Sequence, residues 1–255
     1  MLKNQYYGDI NDYKKYSLIR NLTGSGKMRI AVCWALTDDD GFSDGSKINY
    51  LKEPLKWKRH DPIVFEQLRN DLLIKKERNI ENIEISNIIC NGKFFKRLLK
   101  DGKMERDRYF EEFLNFANNA DLIFFDPDNG LEINSIPRGR IKSSKYIYLS
   151  ELENFYRLGK SLLIYQHFPR VNREQYTSSL ASKIFYLINA PSIFMFITSH
   201  VLFLLIPQPS HAEQFRRSSK EIERYWENII KVKEINSQNH FNAINNTITF
   251  SARNA

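Results

Sequence analysis

The sequence is poor in cysteine and lacks long apolar runs. Two cysteines, Cys33 and Cys90, occur in 255 residues without a C-x-x-C pair, which argues against a disulfide framework or a structural zinc site. The longest apolar stretches, "SIFMFI" and "VLFLLIP", are too short to cross a bilayer. The N-terminal segment "MLKNQYYGDINDYKKY" has no apolar core of the signal-peptide kind. These absences predict a cytoplasmic protein with no membrane partner.

What the chain does have is an excess of positive charge. It contains 38 Lys and Arg against 30 Asp and Glu, which gives a net charge of +8. Hydrophobic residues make up 42% of the chain and aromatic residues 13%, enough to fill a core. A basic balance favours a polyanionic partner such as nucleic acid. The alternative is a basic surface that only contacts solvent.

Apolar runs of strand length alternate with helical periodicity along the chain. "MRIAVCWAL", "DLIFF" and "SLLIYQ" are continuous apolar runs, typical of strands buried on both faces. We predict an α/β three-layer sandwich with a mostly parallel central sheet, antiparallel edge strands and helices on both faces. No repeat or Pro/Gly-rich linker divides the chain, so a single domain over residues 1–255 is expected.

Finer expectations follow from local patterns. "SIFMFITSHVLFLLIP" predicts two antiparallel strands around "TSH", and "IEISNII" predicts a short strand. Asp9 or Asn11 could cap a helix that starts near residue 10, and Asp61 with Pro62 predicts another helix start. "HAEQFRRSSKEIERYWENIIKV" predicts a long C-terminal helix. The basic run from Lys96 to Arg108 is expected on an exposed helix surface.

Polar side chains follow three of the predicted buried strands. Because the carboxyl ends of such strands form the ligand crevice of open α/β sheets, these side chains could converge there. They are Asp38, Asp39 and Asp40 after the first strand, Asp126, Asp128 and Asn129 after the second, and Gln166 and His167 after the third.

The stretch "FFDPDNG" carries the strongest chemical signal. Asp126 directly follows Phe125, so its carboxylate emerges from an apolar wall, where it can activate water or stabilise positive charge. Asn129 could read a base edge with its amide, and Gly130 would let a substrate approach the backbone. The alternative is that these residues only form a turn, since Asp-Pro and Asn-Gly are common turn dipeptides.

The remaining candidates are assigned to the substrate or to DNA. His167 could act as a general acid or bond a substrate oxygen. Five residues are expected to bind substrate: Asp12, Asp38, Asp128, Gly130 and Gln166. The three-aspartate turn at Asp38 could also bind magnesium, but no second ligand pattern supports it, and neither a metal nor a cofactor is expected.

Two basic segments predict contacts with DNA phosphates. "IPRGRIKSSK" contains Arg138, Arg140, Lys142 and Lys145, and "LKWKRH" contains Trp57, Lys58 and Arg59. Trp57 could stack on an unstacked base, and Arg170 beyond "QHFP" could hold a further phosphate. A solvated surface is the alternative for each cluster.

Three chemistries are compatible with this pattern. A methyltransferase would use S-adenosylmethionine, yet "TDDDGFSDG" lacks the close glycine spacing that approaches a cofactor, and "DPDN" lacks a second proline and a stacking aromatic. A metal-dependent nuclease would need a lysine soon after the acids Asp126, Asp128 and Glu132, and none follows at short spacing. A DNA glycosylase needs a carboxylate near C1′, a pocket for the flipped base and cationic loops.

The stretch "FFDPDNG" resembles the first motif of the uracil-DNA glycosylase superfamily. Asp126, Pro127 and Gly130 match it, whereas Asp128 and Asn129 replace the family's Tyr and His, which implies a roomier pocket. "HFPR" and "PQPSH" correspond only imperfectly to the family's His-Pro-Ser-Pro motif.

Across the chain, "NQYYGDINDYKKYSLIR", "FFDPDNGLE" and "LLIYQHFPR" resemble a bacterial family that we take to include phage-defence DNA glycosylases. Those enzymes excise glucosylated hydroxymethylcytosine from viral DNA. The resemblance implies base excision that leaves abasic sites, and it implies phage DNA with modified bases as the partner. The resulting expectation is a metal-independent DNA glycosylase, with a methyltransferase-like protein as the alternative.

Overall fold

The computed structural model describes residue 4 and residues 7–37 and 47–242. The predicted substrate-binding residue Asp38 and the neighbouring Asp39 and Asp40 lie outside the described residues.

The described chain forms a central seven-stranded sheet in the order β2-β1-β3-β6-β8-β7-β9. A second, two-stranded sheet pairs β4 with β5. The strands are β1 (Ile30–Cys33), β2 (Gly92–Phe95), β3 (Leu122–Phe125), β4 (Gly130–Leu131), β5 (Tyr146–Ile147), β6 (Ser161–His167), β7 (Ser192–Ile197), β8 (Val201–Ile206) and β9 (Lys231–Asn236).

The sheet is parallel on one side and antiparallel on the other. β1 pairs in parallel with β2 and β3, and β3 pairs in parallel with β6. β8 runs antiparallel to both β6 and β7, and β9 runs antiparallel to β7 at the edge. β1, β3 and most of β6 are buried on both faces, as their continuous apolar sequences predict.

The helices are α1 (Ile10–Leu22), α2 (Pro54–Trp57), α3 (Pro62–Arg69), α4 (Glu81–Ile85), α5 (Lys103–Phe116), α6 (Leu149–Arg157), α7 (Arg173–Ile188) and α8 (Ala212–Tyr225). Residues of α1, α3, α4 and α8 pack in the hydrophobic cluster on one face of the sheet. Residues of α5, α6 and α7 pack in the cluster on the other face. The predicted three-layer α/β architecture is confirmed.

Capping residues explain where two of these helices begin. The side chain of Asp9 accepts hydrogen bonds from the backbone N–H groups of Asn11 and Asp12, which start α1. The side chain of Asp61 accepts from Val64 N–H, and Pro62 occupies the first position of α3. Both arrangements satisfy N–H groups that have no partner within the helix.

Three local predictions are wrong or incomplete. The predicted strand "IEISNII" overlaps α4, and the strand of this region is β2, which follows it. The predicted C-terminal helix ends at Tyr225, after which the chain forms β9. The run from Lys96 to Arg108 is not simply an exposed helix surface, because Arg106 is fully buried. β9, which was not predicted, is the antiparallel edge strand next to β7.

Within the described ranges, no helix has both the length and the apolar character needed to span a bilayer.

Candidate active site

The site lies where the chain order of the sheet reverses direction. From β1 the chain continues to β2 on one side, whereas β3 lies on the other side. Ligands of open α/β sheets bind outside the carboxyl ends of the strands at such a switch point. At this point the backbone N–H of Asp126, just after β3, donates to the carbonyl of Cys33 at the end of β1 (2.9 Å).

Helix α1 brings a lysine to this point. The Nζ of Lys15 lies 2.7 Å from a carboxylate oxygen of Asp126 and 2.7 Å from one of Asp12. Asp12 also accepts from the hydroxyl of Tyr16 (3.1 Å) and from the backbone N–H of Gly8 (2.9 Å). The Asp12 carboxylate is therefore fixed by several donors, and it holds Lys15 in place against Asp126.

Aromatic rings enclose the ammonium group of Lys15. It lies 5.3 Å from the ring centroid of Tyr165, 5.6 Å from that of Tyr16 and 5.9 Å from that of Trp34. Such rings attract a cation through their negative faces. Although burial disfavours the ammonium form, the charges of Asp12 and Asp126 raise the pKa of Lys15 above its ordinary value. Lys15 is therefore a permanent cation at neutral pH.

Asp126 is only slightly exposed and is correspondingly hard to ionise. Its side chain retains 15% exposure, so the carboxylate is close to the surface without being sealed inside. Burial raises its pKa to about 6, the charge of Lys15 opposes this rise, and the charges of Asp12 and Asp128 add to it. A carboxyl group with a pKa near neutrality is suited to accept a proton during a reaction.

The turn that follows Asp126 is held by Gln166. Leu131 N–H donates to Gln166 Oε1 (2.6 Å), and Gln166 Nε2 donates to the carbonyl of His167 (2.5 Å). Gly130 has φ of +116°, and a Cβ added there would lie 2.4 Å from Gln166 Oε1. The sequence predicted that Gln166 and Gly130 bind substrate. In the structure they form the clamp that shapes the turn, and their binding of substrate stays a prediction.

The other predicted residues of the turn lie at the same crevice. Asp128 is half-buried and accepts from the hydroxyl of Thr37 beyond β1 (2.9 Å). Asn129 is half-buried, and its carbonyl accepts from the backbone N–H of His167 (3.3 Å). These bonds connect the chain after β1, β3 and β6. The side chains predicted after the second and third strands therefore lie at one crevice, whereas Asp38 to Asp40 lie outside the described residues.

His167 lies at the rim of the crevice. Its exposed ring packs edge-on against Tyr165, with centroids 5.0 Å apart. Partial desolvation lowers the pKa of His167, and the charges of Lys15 and His200 lower it further, whereas Asp128 opposes them. The imidazole is therefore neutral at pH 7. It can donate or accept a hydrogen bond there, but it is less suited to the general-acid role that the sequence suggested.

The predicted phosphate-binding loop at residues 136–145 is largely tied to the protein. Arg138 binds Glu151 (2.9 Å) and Asp107 (2.6 Å). The carboxylate of Asp101 accepts from the backbone N–H groups of Lys142 and Ser144. Arg138 is thus part of an internal ion-pair network.

The remaining cations of this loop differ in exposure. The side chains of Arg140 and Lys142 are exposed, and Lys145 is half-buried. Arg140 and Lys142 therefore stay the accessible members of the predicted DNA contacts in this loop.

The second predicted cluster lies at the edge of the core. Trp57 is half-buried and packs edge-on against Tyr50 and His60, with ring centroids 6.0 and 5.9 Å apart. Lys58 pairs with Glu66 (2.6 Å). This packing favours a structural role for Trp57 over the predicted stacking on a base. Arg59 and Arg170 are exposed, and Arg170 follows β6 close to His167 in the chain.

The sequence reasoning missed the central residue of the site. Lys15 follows Asp12 at i+3 on a predicted helix, so both lie on one face, and "DYKKY" was a usable signal for a cation on that face. Nothing local indicated that this face would meet Asp126, which is 111 positions away. Thr37 and Tyr165 were also missed. Among the described residues, no group of three or more His, Cys, Asp or Glu side chains could hold a metal ion.

No family model matches the chain, and no curated protein matches it. A solved structure of a Legionella pneumophila protein, described as belonging to family model DUF519, is similar over 90% of this chain and 97% of that chain. The two share 13% sequence identity, with a TM-score of 0.44.

Proposed function

We propose that the protein is a DNA glycosylase that hydrolyses the N-glycosidic bond of a modified cytosine and leaves an abasic site. The observation that carries the proposal is the Asp126 carboxylate. It stands at the end of a buried strand beside the ammonium of Lys15, keeps 15% side-chain exposure and has a pKa of about 6. A carboxylate in this setting can accept a proton from water or stabilise a cationic sugar.

The proposed reaction needs no group beyond water and these side chains. The bond between C1′ and the base nitrogen breaks, and its electron pair leaves with the base. Water forms the new bond to C1′ and transfers a proton to Asp126, which returns it to solvent, and the departing base takes up a proton from solvent. The anionic form of Asp126 also lowers the energy of the oxocarbenium-like sugar. Lys15 holds the carboxylate in place, and the neutral ring of His167 can donate a hydrogen bond to the departing base.

The rest of the crevice supports recognition of a flipped, enlarged base. Asn129 offers an amide with donors and an acceptor for a base edge. The carboxylate of Asp128, oriented by Thr37, can accept from a hydroxyl group of a sugar attached to the base. The resemblance of "FFDPDNG" to the uracil-DNA glycosylase motif supports the same class of reaction, and its missing Tyr is consistent with a bulky substrate.

The direct test is incubation with phage DNA that carries glucosylated hydroxymethylcytosine. We expect release of the modified base, detected by mass spectrometry, and strand breaks after alkali treatment. Asp126→Asn should reduce turnover by about a hundredfold or more and leave DNA binding largely intact. Unmodified DNA is the substrate control. Near-normal turnover by Asp126→Asn would show that this carboxylate is not the catalytic group.

A second candidate is a methyltransferase-like protein. The observation that favours it is the position of the site at the switch point between β1 and β3, where doubly wound sheets bind nucleotide cofactors. Calorimetry with S-adenosylmethionine separates the two candidates. Tight binding of this cofactor, together with no release of base from phage DNA, would favour the methyltransferase.

A further inference from the structure

Four basic side chains from separate parts of the chain come together beside the site. Lys14 lies on α1, next to Lys15, and Lys47 is adjacent because its carbonyl accepts from Ile10 N–H at the start of α1 (3.2 Å). His200 lies in the turn between β7 and β8, and Arg173 begins α7. We call Lys14, Lys47, Arg173 and His200 the cationic rim.

Backbone contacts hold the second half of the rim against the end of β6. The carbonyl of His200 accepts from the N–H of Phe168, which follows β6 (3.2 Å). Arg173 donates to the carbonyl of Ser199, and its guanidinium lies 5.0 Å from the ring centroid of Phe168. The turn between β7 and β8 is thereby fixed next to the strand that ends in His167.

The members of the rim interact electrostatically. Burial lowers the pKa of Lys14, and the charge of Lys47 lowers it further, while Asp9 opposes both. Desolvation lowers the pKa of His200, and the charges of Lys47, Lys14 and Arg173 lower it further, so its ring is neutral at pH 7 and offers a hydrogen-bond donor rather than a charge. Like charges held together raise the free energy of the protein. An anion bound among them would relieve this repulsion.

The rim is built on elements that also carry the site. Lys14, which is 4% exposed, belongs to the same helix as Lys15, and Lys15 contacts Asp126. His200 is held by Phe168, the residue directly after His167. The rim thus follows α1 and β6, whereas the loop at residues 136–145 is tied down through Arg138 and Asp101.

We propose that the cationic rim binds phosphates of the DNA backbone and holds the strand beside Asp126. This inference rests on the proposed function for the identity of the ligand, and it assigns phosphate contact to residues that the sequence did not single out. Lys47 and His200 have exposed side chains, so they can reach a phosphate directly. Lys14 supplies charge from beneath.

Binding of a fluorescein-labelled DNA duplex to the Asp126→Asn variant tests the rim without turnover. Lys47→Ala, introduced into the Asp126→Asn variant, should weaken DNA binding about tenfold at 0.1 M salt. It should also reduce the slope of the logarithm of the binding constant against the logarithm of the salt concentration by about one. Lys27→Ala, introduced instead, removes one exposed charge from the turn before β1, at the opposite end of that strand from the site, and serves as the matched control. We expect the control to change affinity less than twofold. Melting temperatures within error of the parent confirm that both variants fold.

The alternative outcomes separate the two proposals. Unchanged affinity and slope in Lys47→Ala, or an equal loss in Lys27→Ala, would refute the rim. Inorganic phosphate is then added at the same concentration as the phosphate groups of the duplex. If it displaces the DNA, the rim is a site for the free ion, and the proposed contact with the DNA backbone is refuted. If Lys47→Ala weakens binding of the duplex but the protein without substitutions releases no base from phage DNA, the proposed function fails and the rim stands.

Discussion

The replacement Asp126→Asn should stabilise the protein at neutral pH while it removes activity. Burial raises the pKa of Asp126 from 3.8 to about 6, so folding favours the protonated carboxyl. Ionising it in the folded state at pH 7.5 then costs about 3 kcal/mol, at 1.36 kcal/mol for each pH unit between the two values. Asparagine has the shape of the neutral acid and avoids this cost.

The sign of the effect fixes its pH window. Because the folded pKa is the higher one, the cost is absent below about pH 4, grows as pH rises and is complete above about pH 6. Denaturant unfolding of both proteins at several pH values measures it. We expect a gain of up to about 3 kcal/mol at pH 7.5 and no difference near pH 3.5. In a thermal scan the gain corresponds to about 5 to 10 °C.

A matched control lies at the other end of the same strand. Asp121 precedes β3 and binds Arg29 (2.8 Å), and this pairing lowers the pKa of Asp121. Asp121→Asn should therefore lose stability at pH 7.5, with the loss fading as pH falls. Two results would refute this reasoning: Asp126→Asn is less stable than the parent at pH 7.5, or its gain in unfolding free energy is the same at pH 3.5. Either result would show that burial does not make ionised Asp126 costly in the folded protein.

Four further results are expected. The value of kcat/KM should rise with pH through about 6, because only ionised Asp126 accepts a proton; a flat pH profile between 5 and 7 would contradict this. Lys15→Met should move that rise to higher pH, since Lys15 favours the ionised form; an unmoved profile would mean that Lys15 does not act on Asp126. Arg106→Leu breaks a fully buried pair with Glu151 (2.6 Å) and should cost about 3 to 5 kcal/mol of unfolding free energy; a loss below 1 kcal/mol would argue against the pair. Gly130→Ala forces a Cβ to within 2.4 Å of a neighbouring side chain and should reduce kcat more than it raises KM.

Local sequence was sufficient for the elements that carry the site. Continuous apolar runs predicted β1, β3 and β6, because a strand buried on both faces needs apolar residues at every position. Asp9 and Asp61 predicted two helix starts, since capping depends only on neighbouring N–H groups. The position of Asp126 at a strand end followed from the same pattern.

Local sequence failed where an element depends on distant partners. "KVKEIN" alternates polar and apolar residues weakly, and it forms β9 because the exposed hydrogen-bonding edge of β7 is available. Arg106 looked like part of a solvated surface, yet Glu151 and the carbonyl groups of Ser143 and Tyr146 satisfy its donors inside the protein. A buried charge needs such partners, and nothing near it in the chain identifies them.

The sequence by itself therefore determined the α/β class, the buried strands and the carboxylate at the end of β3, because hydrophobic periodicity and capping act over a few residues. Only the tertiary structure decided that α1 packs on one face of the sheet and that Lys15 meets Asp126 across 111 positions. It likewise placed Lys47 against the start of α1 and His200 against the chain that follows β6. Charge interactions depend on distance in space and on burial, and both quantities exist only once the chain has folded.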